Sequence, residues 1–190
     1  GFWMNLCDRV HIYNNRFMYS EGDNDSFGLH VDIMNNEVIV EKNFSIENEG
    51  GFIEILASTN TIYRYNVSYN DGWRSSSSKG KILWLDNYNG KDANNNPLKP
   101  DNMPKNTYIY NNTAVIDHKF ANPNNEVGFG IAKGADGVLI QNNVFWVDDS
   151  VTVVDVSEGS HTANNGSIHF TNNLYNRSDI LPRSEEHTSE

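Results

Sequence analysis

Three short stretches of this chain interleave apolar residues with groups capable of chemistry. Gly28–Ile33 carries His30 and Asp32, Gly51–Leu56 carries Glu54, and Lys81–Asp86 carries Trp84 and Asp86. Alternation with a period of two places successive side chains on opposite sides of a strand. With Leu29, Val31, Ile53, Ile55, Leu83, Leu85, Val127, Phe129 and Ile131 facing a core, the outward column reads His30, Asp32, Glu54, Trp84, Asp86, Gly128 and Gly130. Carboxylates bond sugar hydroxyls or hold Ca²⁺, an imidazole exchanges protons near neutral pH, and an indole packs on the flat face of a pyranose ring. The column therefore suits a sugar-binding cleft, although acidic residues on an ordinary solvated strand face give the same pattern.

The elements that must position these groups are repeats. Six segments align without gaps: Val10–Phe17, Val38–Ser45, Thr61–Ser68, Thr107–Ala114, Val138–Phe145 and Ile168–Tyr175. Each has a β-branched residue first, an apolar residue third, and Asn sixth. The key asparagines are Asn15, Asn43, Asn66, Asn112, Asn143 and Asn173, at intervals of 28, 23, 46, 31 and 30 residues. Periods of this size indicate a solenoid. The 46-residue interval reads either as two turns or as one turn with an insertion. A leucine-rich horseshoe shares the strand pattern but returns through a helix or a leucine-bearing segment. Here the return segments, Gly28–Ile33, Gly51–Leu56, Lys81–Asp86, Val127–Ile131 and Val151–Val156, alternate as strands. The expected fold is all-β: a single-stranded parallel β-helix of roughly six to seven coils, right-handed as parallel crossovers are.

Such a fold accounts for the composition. The 190 residues include 30 asparagines and only 37% hydrophobic residues. Asn tolerates left-handed backbone at sharp bends, and Asn side chains stacked coil upon coil form a ladder that pairs otherwise buried polar groups. The six key asparagines are expected to be that structural ladder. A net charge of −11 disfavours nucleic acid as a partner, because phosphates must be met by Lys and Arg. No apolar run is long enough to span a bilayer. The one cysteine, Cys7, excludes an internal disulfide framework and a cysteine-based zinc site. The sequence contains neither a dinucleotide-binding loop nor a His-Glu-x-x-His zinc motif.

Domain organisation follows from the repeat. Residues 1–182 read as one β-helix domain, an incomplete slice of a longer protein, with a proline-rich inserted loop at 87–106. Residues 183–190 match the translation of a common sequencing adapter and read as a non-native tail. Ser75–Ser78 reads as a smaller loop.

The repeat, together with Glu47–Ser58, Asn60–Asn66 and Asn70–Arg74, resembles the right-handed β-helix polysaccharide lyases of the pectate lyase-like superfamily, which includes alginate lyases and chondroitinase B. Those enzymes pair a Glu-Ile strand with a Lys about five residues on and an Arg in the next coil. Glu54 and Arg74 match the outer two positions, while Thr59 stands near the Lys position. The resemblance implies a secreted, periplasmic or cell-surface monomer that acts on a uronate-containing polysaccharide by β-elimination. It makes Arg74, His30 and Glu54 the catalytic candidates and Asp32, Trp84, Asp86 and Trp73 the substrate-binding ones. Glu54 and Asp32 become the candidate Ca²⁺ ligands. A glycoside hydrolase using two of Asp32, Glu54 and Asp86 is an alternative on the same scaffold. A non-catalytic, glycan-binding or structural surface β-helix is the third, since a fold does not fix a function.

Overall fold

Each repeat becomes one coil of three strands. In the computed structural model, which describes residues 1–22, 26–73, 80–86, 103–117, 126–131, 135–155 and 168–180, the first coil is β1 (Phe2–Met4), β2 (Asp8–Tyr13) and β3 (Arg16–Met18). The second is β4 (Leu29–Val31), β5 (Asn36–Glu41) and β6 (Phe44–Ile46), and the third β7 (Gly51–Leu56), β8 (Thr59–Arg64) and β9 (Val67–Tyr69). The fourth is β10 (Lys81–Asp86), β11 (Lys105–Tyr110) and β12 (Thr113–Ile116). The fifth is β13 (Glu126–Ile131), β14 (Asp136–Gln141) and β15 (Val144–Val147). The sixth, β16 (Thr152–Asp155), β17 (Ile168–Thr171) and β18 (Leu174–Tyr175), ends near a single 3₁₀ turn at Ser178–Ile180.

Every third strand pairs in parallel, which generates three six-stranded sheets. Sheet A takes the first strand of each coil, sheet B the second and sheet C the third. This is a parallel β-helix, consistent with the right-handed winding that parallel crossovers prefer. The 46-residue interval is a single turn, because Asn66 bonds directly to Asn112 and the extra residues fall between β10 and β11. Of the expected 87–106 loop, residues 87–102 lie outside the described residues, as do Ser75–Ser78 and the 183–190 tail. All nine residues assigned inward on sheet A belong to one continuous hydrophobic core.

The ladder runs through the bend between sheets B and C. The Oδ1 of each asparagine accepts both the backbone N–H and the side-chain amide of the asparagine one coil earlier, at 2.9–3.1 Å from Asn15 through Asn173. The second amide hydrogen goes to a carbonyl of the preceding sheet B strand, as from Asn66 to Val40 or Asn112 to Tyr63. Every hydrogen-bonding position of the four interior amides, Asn43, Asn66, Asn112 and Asn143, is thereby used.

The left-handed residue, however, is not the ladder asparagine but the one before it. Asn14, Lys42, Tyr65, Asn111, Asn142 and Asn172 all have φ of 54–56°. The other two bends repeat the device. Leu6, Met34 and Ala57 are left-handed before Cys7, Asn35 and Ser58, and Tyr19, Glu47 and Asn70 before Ser20, Asn48 and Asp71. Asn35 accepts from Cys7 N at 3.0 Å, and Ser58 Oγ lies 3.2 Å from Asn35 N. Asn48 accepts from Ser20 N at 3.0 Å and donates from N and Nδ2 to Asp71 Oδ1 at 2.8 Å.

Two outcomes follow for these bends. Replacing Asn66 by Ala strands the Asn43 amide groups and the Val40 carbonyl in a buried place. It should cost about 3 kcal/mol or more in urea unfolding, since each orphaned buried group costs about 1–3 kcal/mol. At the third bend, burial pushes the Asp71 carboxyl up to about 6 from 3.8, against the hydrogen bonds from Ser68, Asn48 and Ser45. Its folded value lies above its unfolded one, so the stability it contributes is full below about pH 4 and is lost as pH rises through about 6. Asp71→Asn should flatten that slope in Tm against pH. It should also raise stability at neutral pH by about 1–3 kcal/mol; a slope unchanged from wild type would contradict the assignment.

Candidate functional site

The outward side of sheet A brings together residues from four coils. Register pairs Trp3 with His30, and Glu54 with Trp84, which in turn faces Gly130. Val31 pairs with Ile55, so His30 and Glu54 are neighbours across two strands. His30 Nε2 lies 3.2 Å from Glu54 Oε2 and 3.6 Å from Asp32 Oδ1. The other Asp32 oxygen accepts from the Trp3 indole N–H at 2.5 Å. One imidazole thus stands between two carboxylates, and a third side chain anchors one of them.

Burial on this face departs from that of an open groove. His30 and Asp32 are each 4% exposed and Glu54 is 0% exposed. Trp84 and Asp86 are half-buried, while Trp3 is 63% exposed. Asp86 stands at the end of β10 opposite Leu56, one row beyond Glu54 and Trp84. Trp73 is placed elsewhere: half-buried past the third bend, it packs against the core and donates its indole N–H to the Glu47 carbonyl at 3.1 Å. Arg74 lies outside the described residues.

A cation that sequence reasoning passed over also joins this face. Lys81, 5% exposed, sets its Nζ 3.5 Å from the centre of the Trp84 ring and 5.8 Å from that of Phe27. Simple alternation aligns Lys81 with Leu83 and Leu85, on the core side. A register shift between Lys81 and Leu83 against β13 breaks that alternation, and one such slip exchanges faces. The glycine opposite, Gly51 at φ 140°, leaves no room for a Cβ, which would lie 1.9 Å from the Lys81 carbonyl oxygen. Trp3 was missed for a different reason: it precedes the first aligned segment.

Asp32 and Glu54 each turn an oxygen toward His30 Nε2, and the second Asp32 oxygen is taken by Trp3. Two carboxylates so committed do not form the shell of six to eight oxygens that Ca²⁺ requires. Among the described residues, no group of three or more His, Cys, Asp or Glu side chains could hold a metal ion.

Sheet topology and register define the class: an all-β parallel β-helix solenoid, a scaffold of the kind used by carbohydrate-active enzymes. Compared with models of known families, with curated proteins and with solved structures, the chain finds no match in any of the three. No helix among the described residues is long and apolar enough to cross a membrane.

Proposed function

We propose that this β-helix is a polysaccharide lyase that cleaves a uronate-containing chain by β-elimination on the outer side of sheet A. One observation carries the reading: the His30 imidazole lies within 3.2 Å of Glu54 and 3.6 Å of Asp32. Elimination needs a base for the proton beside the uronate carboxylate, and a positive group to make that proton acidic by neutralising the carboxylate. His30 is the base, with Glu54 and Asp32 beside its ring. Lys81 and Arg74 are the cations within the reading, and Trp3, Trp84 and Asp86 are its substrate contacts, on the more exposed side of the cluster. The glycosidic oxygen leaves with a proton returned through the same imidazole.

The geometry favours elimination over hydrolysis. A glycosidase needs two carboxylates that flank the scissile bond with space for a sugar linkage, and often a water, between them. Here Asp32 and Glu54 address the same ring nitrogen. No step passes through Ca²⁺.

The experiment is digestion of a panel of uronate-containing and neutral polysaccharides, followed by the ultraviolet absorbance of a newly unsaturated uronate and by reducing-end release. The expected result is absorbance with an acidic substrate, unaffected by chelator, that falls about a hundredfold or more in His30→Ala. Reducing ends without absorbance would assign a hydrolase. Neither signal from the whole panel would make the scaffold non-catalytic.

A further inference from the structure

A second face carries chemistry that the sheet A reading does not use. On the outer side of sheet B one column reads His11, Ile39, Ile62, Tyr108, Leu139 and His169, an apolar strip with an imidazole at each end. Beside it runs Tyr13, Glu41, Arg64, Tyr110 and Gln141. On its other flank stand Arg9, Glu37, Asn60 and Asn106, the second residue of each of the first four sheet B strands, all left-handed at φ of 51–56°. A cleft of about 460 Å³ opens over the first three coils, lined by Arg9, His11, Glu37, Ile39, Asn60 and Ile62.

The imidazole that lines this cleft is held in place. His11 Nε2 lies 3.0 Å from Glu41 Oε1, and the other Glu41 oxygen accepts from Arg64 Nε at 2.7 Å. Arg64 Nη1 then donates to the Tyr110 hydroxyl at 2.8 Å, and its guanidinium lies 5.6 Å from the Tyr65 ring centre and 5.9 Å from that of Tyr110. The chain His11–Glu41–Arg64–Tyr110 crosses four consecutive coils. Pairing with Arg64 holds the Glu41 carboxyl below its ordinary range, and Tyr110 and Glu41 hold the Arg64 guanidinium above its own.

We infer that this face is a glycan-binding groove that takes an extended, neutral saccharide chain laid along the coil axis. Coils repeat every 4.8 Å or so, close to the length of one sugar unit in an extended chain. The strip of Ile39, Ile62 and Tyr108 meets the C–H faces of successive rings, and the two flanking columns meet hydroxyls on both edges over the first four coils. Charge argues for a neutral chain: Arg9 is already paired with Asp8 at 3.1 Å, Glu37 shares the rim, and the whole chain is at −11.

Titration calorimetry with neutral cello- and xylo-hexaoses and an acidic galacturonate hexamer tests the assignment. It uses the full chain, His11→Gln, Ile62→Ser and a His30→Ala control, with circular dichroism to confirm folding. The expected result is binding of a neutral hexamer that weakens about tenfold in His11→Gln or Ile62→Ser and is unchanged in His30→Ala. This outcome is independent of the lyase assay, which reads His30. Four results would overturn the proposal. They are no neutral binding at millimolar concentration, binding of the acidic hexamer alone, affinity indifferent to both sheet B variants, and a dimer in sedimentation that Ile62→Ser abolishes without any glycan bound.

Discussion

Everything in this molecule depends on satisfying backbone groups at its bends. A coil of three strands turns sharply three times, and each turn takes peptide groups out of the sheets while leaving them inside the protein. An unpaired buried amide or carbonyl costs about 1–3 kcal/mol, a cost repeated in every coil. The solution is a left-handed residue followed by a short polar residue tied to the coil beside it, at the bend between sheets B and C in all six coils and at the other two bends in the first three. A bulky left-handed residue such as Tyr65 or Lys42 is itself strained by roughly 1–3 kcal/mol. That strain is offset by the following asparagine, whose backbone and side-chain amides donate at 3.0 Å. The ladders also bind each coil to its neighbours alone, so stability is built one interface at a time, as in other solenoids.

Once the bends are closed, the interior needs little. A core one residue deep per strand is filled by alternate Val, Ile, Leu and Phe, which leaves every other position for polar groups and explains the low apolar content. Those outward positions form straight columns, because parallel pairing stacks equivalent residues at the same height. Outward columns are therefore where a β-helix can assemble chemistry from residues far apart in sequence. On sheet A they place His30 between Glu54 and Asp32; on sheet B they join His11 to Tyr110 through Glu41 and Arg64. Acidic groups in both clusters are turned on imidazole, guanidinium or indole partners rather than left to repel one another.

The fold was legible to the extent that its signals were local. Six aligned segments located the ladder, and all nine sheet A residues that period-two alternation turned inward lie in the core, although it passed over Met4, Phe52 and Ile82. The other two ladders were harder to see, since Cys7, Asn35 and Ser58 or Ser20, Asn48 and Asp71 share a position but not a residue type. Their common property is a small polar group at a fixed height, which an alignment by identity overlooks. The sheet B network had a usable signal: Tyr13, Glu41, Arg64 and Tyr110 each stand two residues before a ladder asparagine, and equal offset from the ladder means adjacency in space. At sheet A the candidates His30, Asp32 and Glu54 could be listed from alternation, whereas Lys81 could not, because a bulge reversed its face.

Sequence by itself determined the coil, its bends and which side chains face inward, because strand alternation and asparagine bonding act over a few residues at fixed spacing. Tertiary structure alone decided that Lys81 covers Trp84, that His30 meets both Glu54 and Asp32, that Trp73 packs on its own core, and that the open cleft lies on sheet B while the acidic cluster of sheet A is buried. These are relations between coils and across faces. They depend on register, on bulges and on the unequal lengths of coils separated by 23 to 46 residues, none of which a local pattern encodes.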